Sequence, residues 1–201
     1  MTDDLLAFVA SRRGHFKTES GLHANLWMDL ETLCWHPNLL RPSVARLAAM
    51  LRPHDPDVVC GPLNEGAFVA LMVAAELDCQ FIYTERFVDA GAESLFPVRY
   101  RLSPPLRRIA AGRRVAIVND VISAGSAVRG TLEDLTSAGA QVIAIGALVV
   151  LGRLFDSIAN ERGIPIEALE RAPFEMWKPD ECPLCAAGVP LESVDALGSI
   201  A

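Results

Sequence analysis

The sequence predicts an α/β fold: a central, mostly parallel sheet flanked by helices. Three observations carry that expectation. Residues 57–60 and 80–83 are short β-rich runs on either side of a helical pattern over residues 64–77. Residues 114–118 and 141–151 are apolar runs that bracket a second helical pattern, over residues 126–138. Strand, helix, strand in that order calls for a right-handed crossover, and so for parallel pairing. The length agrees, because 201 residues, 51% of them hydrophobic, can bury a full core as a single domain.

The remaining elements follow in chain order. Leu5, Leu6, Phe8 and Val9 recur at near-helical spacing between residue 3 or 4 and residue 13, and Gly14 follows, so a short helix and its stop are expected there. Residues 15–30 alternate loosely around the Ser20-Gly21 turn, as short strands do. A second helix should follow Pro37 and end near Pro53. Residues 87–112 mix prolines, glycines and arginines too irregularly for a core element, which predicts a long mobile loop and a hairpin-like return. The tail carries Pro165, Pro173, Pro179, Pro183 and Pro190, so short helices and strands should wrap the sheet. The expected layout is a core over about residues 38–152 and a small hood from residues 1–37 and 153–201.

Composition excludes several function classes. A net charge of −7 offers no basic field for a phosphate backbone, and no helix-turn-helix pattern is present, so no nucleic-acid partner is expected. The first residues are acidic where an export signal is basic, and no apolar run could span a bilayer, so no membrane partner is expected. Five scattered cysteines suit a reducing cytoplasm better than a disulfide framework. Cys34, Cys60 and Cys79 have apolar neighbours and read as core residues. Cys182 and Cys185 have the spacing of half a zinc site, but no second Cys pair or His pair lies near them in sequence. His15, His23, His36 and His54 offer no ligand spacing, so a tail turn without metal is expected.

The densest chemical signal is the run Val115-Ala116-Ile117-Val118-Asn119-Asp120-Val121-Ile122-Ser123-Ala124-Gly125-Ser126-Ala127. An apolar strand enters a loop of small residues that opens a helix. Ser123, Ala124, Gly125 and Ser126 leave room for an anion to reach backbone NH groups, and the helix points its positive end at the same spot. Asp120 stands where it can accept hydrogen bonds from sugar hydroxyls or hold a metal-bound water. Such sites belong at the carboxyl ends of parallel strands.

That run resembles the signature of the type I phosphoribosyltransferases: four apolar residues, two acids, two apolar residues, then Thr, a small residue, Gly and a hydroxyl or small residue. Asn119 replaces the first acid and Ser123 the threonine. Further segments narrow the resemblance to the orotate phosphoribosyltransferases. Gly14-His15-Phe16, Ser20-Gly21-Leu22-His23 and Trp27 look like that family's base-covering N-terminal segment. Cys60-Gly61-Pro62-Leu63-Asn64-Glu65-Gly66 looks like its pyrophosphate loop, and Tyr83-Thr84-Glu85-Arg86 like the strand end that supplies an arginine. Arg153 falls where the family binds the orotate ring, and the tail from Lys178 to Leu191 is similar to one branch of the family. Glu19, Glu65 and Gly152 depart from the usual lysine, glycine and acid.

The resemblance implies transfer of a phosphoribosyl group from 5-phosphoribosyl 1-diphosphate to a pyrimidine, orotate, with Mg2+ as cofactor and a homodimer as the assembly. By it, Ser123, Ala124, Gly125, Ser126 and Ala127 hold the 5-phosphate, and Asp120 with Asn119 the ribose hydroxyls. Leu63, Asn64, Glu65 and Gly66, with Thr84, Glu85 and Arg86, hold the diphosphate; Arg153 and the stretch containing Lys17 and Glu19 face the base. Arg99 and Arg101 are the charges expected to swing over the diphosphate during catalysis. Asn119 and Glu65 also admit a different class, a non-catalytic binding protein for nucleotide or phosphoribosyl diphosphate, while Glu19 and Gly152 admit a transferase for another base.

Overall fold

Strands that are apolar on both faces have to be covered on both faces, and that requirement arranges this chain. A computed structural model describes residues 10–18, 21–29, 34–88, 98–153 and 155–193. In chain order it contains β1 (Ala10–Lys17), β2 (His23–Asp29), α1 (Pro37–Leu51), β3 (Val58–Pro62), α2 (Glu65–Leu77), β4 (Gln80–Val88), β5 (Val98–Arg101), α3 (Pro104–Ala110) and β6 (Arg114–Ile122). Then follow α4 (Ser126–Ser137), β7 (Gln141–Leu151), α5 (Asp156–Glu161), β8 (Ile166–Ala172), β9 (Met176–Trp177), α6 (Pro183–Ala186) and β10 (Glu192–Ser193).

Six strands form the main sheet in the order β5-β4-β3-β6-β7-β8. All neighbours are parallel except β5, which returns antiparallel along β4. Alternation divides the core. Val59, Ala116 and Val118 join Leu47 and Leu51 of α1 and Val69 and Val73 of α2 on one face. Val58, Cys60, Val115 and Ile117 join Leu132 and Leu135 of α4 on the other. Both expected strand-helix-strand units are therefore present, with parallel pairing. Among the described residues, no helix is long and apolar enough to cross a membrane.

A second, four-stranded sheet, ordered β10-β1-β2-β9, forms the hood. Here the chain departs from two expectations. Residues 10–13, assigned to the end of an N-terminal helix, lie in β1 instead, where Arg12 and Arg13 pair with Trp27 and Leu26 of β2. Cross-strand pairing outweighs a helical spacing whose apolar members all lie among residues 1–9, outside the described residues. The tail is also shared between the two sheets: β8 adds to the main sheet beside β7, and only β9 and β10 join the hood.

The irregular stretch after β4 contains a helix that was not expected. Pro104 and Pro105 suit a first helical turn, because the missing N–H groups have no intrahelical partner there anyway. Asp134 of α4 then holds the segment, accepting from the Leu102 amide at 2.8 Å and from Arg107 at 2.6 Å. The hairpin-like return is present as β5, whereas the loop before it, residues 89–97, lies outside the described residues.

One buried contact ties the β4 end to α4: the hydroxyls of Thr84 and Thr131 lie 2.8 Å apart with both residues fully buried. Thr131→Val keeps the shape and strands the Thr84 hydroxyl without that partner. It should cost about 1–3 kcal/mol of unfolding free energy, measurable by urea denaturation.

Candidate functional site

The carboxyl ends of β3 and β6 lie side by side, and the two loops leaving them enclose a pocket of about 200 Å³. Pro62, Leu63, Asn64, Glu65 and Gly66 form one wall. Asn119, Asp120, Val121, Ser123, Gly125, Ser126 and Ala127 form the other, and Tyr100 of β5 closes a side. The structure thus brings together the small-residue loop, the predicted pyrophosphate loop and Asp120. Ala124 sits within the loop without lining the pocket.

Close backbone approach makes this possible. A Cβ on Gly66 would fall 2.0 Å from Asn119 Oδ1, so only glycine lets the first turn of α2 reach the end of β6. Gly125 has φ +76°, and a Cβ there would fall 2.0 Å from the Phe155 ring. Neither α2 nor α4 has a side-chain cap, so the amides of both first turns are left for a ligand at the pocket wall. The peptide bond between Leu63 and Asn64 is cis.

The side-chain charges are both negative. Burial raises the Asp120 carboxyl from its ordinary 3.8 to about 7; the Val121 amide hydrogen bond opposes this and the Glu65 charge adds to it. Among the described residues no basic side chain lines the pocket, so what favours an anion there is backbone amides and helix ends. Asn119 is 7% exposed and its amide NH2 donates to Val121 O at 2.6 Å, a bond that an aspartate at this position could not make. The substitution for the usual acid thus serves the local backbone.

Other predicted site residues lie elsewhere. Thr84 turns its hydroxyl to Thr131, and Glu85 and Arg86 follow it along β4 opposite Arg101 and Tyr100. Arg99 and Arg101 are exposed on β5; Arg101 lies 5.8 Å from the centre of the Phe87 ring, and neither arginine lines the pocket. Alternation along β5 instead presents Tyr100, a residue the sequence analysis missed because the arginines on either side drew the attention. Lys17 is exposed at the end of β1, in register with His23, and Glu19 lies outside the described residues.

Arg153 lines a separate, open groove of about 450 Å³ with Ser157, Phe174, Met176 and Trp177. Asp156, at the start of α5, pairs with Arg171 at 3.1 Å. The hood holds a further cluster that sequence spacing hid: His15, His23, Cys182 and Cys185 meet, each offering a ligand atom within 4.8 Å of the others. No histidine pair lies near the cysteines in sequence; the fold brings two histidines to them from the opposite end of the chain.

Comparison with known proteins agrees with this geometry. The sequence model of the phosphoribosyl transferase domain matches residues 36–162. The orotate phosphoribosyltransferase of Heliobacterium modesticaldum is 34% identical over 182 residues, 88% of this chain and 86% of its own. That of Thermotoga maritima is 29% identical over 192 residues, 94% of each. Among solved structures, orotate phosphoribosyltransferase from Aeropyrum pernix aligns with TM-score 0.64 at 22% identity, over 85% of this chain and 93% of its own. Adenine phosphoribosyltransferase from Thermoanaerobacter pseudethanolicus gives 0.61 at 20%, over 73% and 88%. These two structural likenesses are likenesses of fold.

The raised carboxyl carries a stability prediction. Above pH 7 the folded chain bears the full cost of an ionised Asp120, and below pH 4 it bears none, so this group makes stability fall as pH rises between them. Asp120→Asn should therefore be more stable than the parent at pH 8 and equal to it near pH 4. The gain is at most about 4 kcal/mol, less to the extent that Asp120 keeps surface in water. Thermal melts across that pH range check the sign.

Proposed function

The chain belongs to the phosphoribosyltransferase family, and from that premise we propose that it transfers the phosphoribosyl group of 5-phosphoribosyl 1-diphosphate to orotate, releasing pyrophosphate. The observation that carries the proposal is the single pocket in which Asp120, the residue 123–127 loop and the residue 63–66 loop meet. The curated relatives over most of its length carry the orotate name.

Each part of the pocket then has a task. The amides of residues 123–127 and the α4 N-terminus bind the 5-phosphate. Asp120, once ionised, accepts from the ribose hydroxyls, and Asn119 holds the wall on which it stands. The 63–66 loop and the α2 N-terminus take the diphosphate. Arg153 and Trp177, in their own groove, suit a flat anionic base through charge and stacking. Departure of the diphosphate leaves positive character on the anomeric carbon, so the work of the protein is to position, shield and balance charge.

The donors fit magnesium. Glu65 and Asp120 offer hard carboxylate oxygens from the two walls, and their repulsion, which adds to the effect of burial on Asp120, is what a divalent cation would relieve. Bound there, Mg2+ would neutralise the diphosphate. A homodimer is part of the proposal, supported by apolar side chains left in solvent: Leu39 on α1, and Phe68 and Leu71 one turn apart on α2. Cysteines that stand outside any disulfide among the described residues suit the cytoplasm.

Incubation with phosphoribosyl diphosphate, Mg2+ and orotate should deplete orotate absorbance and release pyrophosphate in equal amounts. Pyrophosphate without orotate loss would move the reading to another acceptor, and binding without either product would make the pocket a sensor. Removing the Glu65 charge should let Asp120 ionise at lower pH. Glu65→Gln is therefore expected to shift the acid limb of the kcat/KM profile downward in pH, which initial rates from pH 5.5 to 8 will read.

A further inference from the structure

We infer that His15, His23, Cys182 and Cys185 form a tetrahedral zinc site that staples the tail to the N-terminal hairpin of the hood. The cluster lies outside the pocket used above, and the inference does not depend on the reaction.

The spacing of the four ligand atoms carries the argument. His15 Nε2 lies 3.0 Å from His23 Nδ1 and 3.4 Å from Cys182 Sγ. Cys185 Sγ lies 3.7 Å from His15 Nε2 and 3.3 Å from His23 Nδ1. Zinc bonded tetrahedrally to two nitrogens and two sulfurs has edges of about 3.3 Å (N···N), about 3.6 Å (N···S) and about 3.8 Å (S···S). These four contacts fall close to those edges, and all four ligand atoms lie within 4.8 Å of one another. Two thiolates neutralise a divalent cation, and a mixed nitrogen–sulfur set selects zinc over the oxygen-seeking magnesium of the pocket.

The surroundings orient the ligands. His15 Nδ1 lies 2.9 Å from the Val189 carbonyl oxygen, which can only accept, so the proton sits on Nδ1 and the Nε2 lone pair faces the cluster. His15, His23 and Cys182 are 1%, 6% and 3% exposed, while Cys185 closes the solvent side. A bulge aims His15: Arg13 pairs with Leu26 and Phe16 with Ala24, so Gly14 and His15 together oppose Asn25. Gly14 is needed there, since a Cβ would fall 2.7 Å from the Phe16 ring.

The fold also explains what a metal would do there. β9 and β10, which attach the tail to the hairpin, are two residues each. Strands that short hold little by themselves. Cys182 and Cys185 lie between them, and the ligands they meet are 167 and 162 residues away in sequence. A clip across so long a loop removes much of the freedom of the unfolded chain. It also sets Trp177, paired with His23, on the wall of the Arg153 groove.

The test uses the full-length protein, reduced and purified without an affinity metal. Elemental analysis should find about one zinc per chain, lost in the Cys182→Ser, Cys185→Ser double variant. A strong chelator should lower the melting midpoint of the parent and leave that of the double variant unchanged. Should the double variant not fold, cobalt added to the chelator-stripped parent decides the matter. Intense visible bands of tetrahedral cobalt, with thiolate charge transfer in the near ultraviolet, support the site. No zinc as isolated together with no such spectrum would overturn it, as would zinc that persists in the double variant.

Discussion

The parallel pairing of β3 with β6 is the constraint on which the pocket depends. With Cys60 held beside Ile117, the two strands end at the same level and their loops have to leave together. Each loop then opens a helix that packs back on the sheet, α2 on one face and α4 on the other, so two helix N-termini arrive at one place with unsatisfied amides. No single loop could assemble this. The contact of Gly66 with Asn119 is the point of closest approach, and it requires a missing side chain on one strand end and a short amide on the other.

That half of the molecule was legible because its signals are local. Residues 141–151 are almost uninterruptedly apolar, and the strand occupies the same bounds. The small residues 123–127 alone would also suit an ordinary strand-to-helix turn, but the acid just before them and the flanking segments point to the same site. Legibility fell where tertiary contacts decide. Nothing in residues 87–112 announces that Asp134 will anchor Leu102 and Arg107, so the prolines that begin α3 read as breakers. Thr84 looked available to a ligand until α4 brought Thr131 against it.

The hood is the extreme case. His15 and His23 are eight residues apart in one hairpin, while Cys182 and Cys185 wait beyond the entire main sheet. Ligand spacing is a useful guide only when both halves of a site come from one supersecondary unit. Here the two halves come from opposite ends of the chain, and the tail strands that bring them together are too short to be read from periodicity.

In the pocket, two carboxylates face a space suited to anions, and burial, with the Glu65 charge adding to it, keeps Asp120 protonated to unusually high pH. Such a site disfavours its own empty, ionised state, so a cation and a phosphorylated ligand each relieve a cost already present in the fold, and their binding should be mutually favourable. A basic pocket would hold the diphosphate without a cation and would release pyrophosphate reluctantly. With acids as the charged side chains that line it among the described residues, this pocket would make anion affinity conditional on a bound cation, and the charge that helps the substrate in could leave with the product.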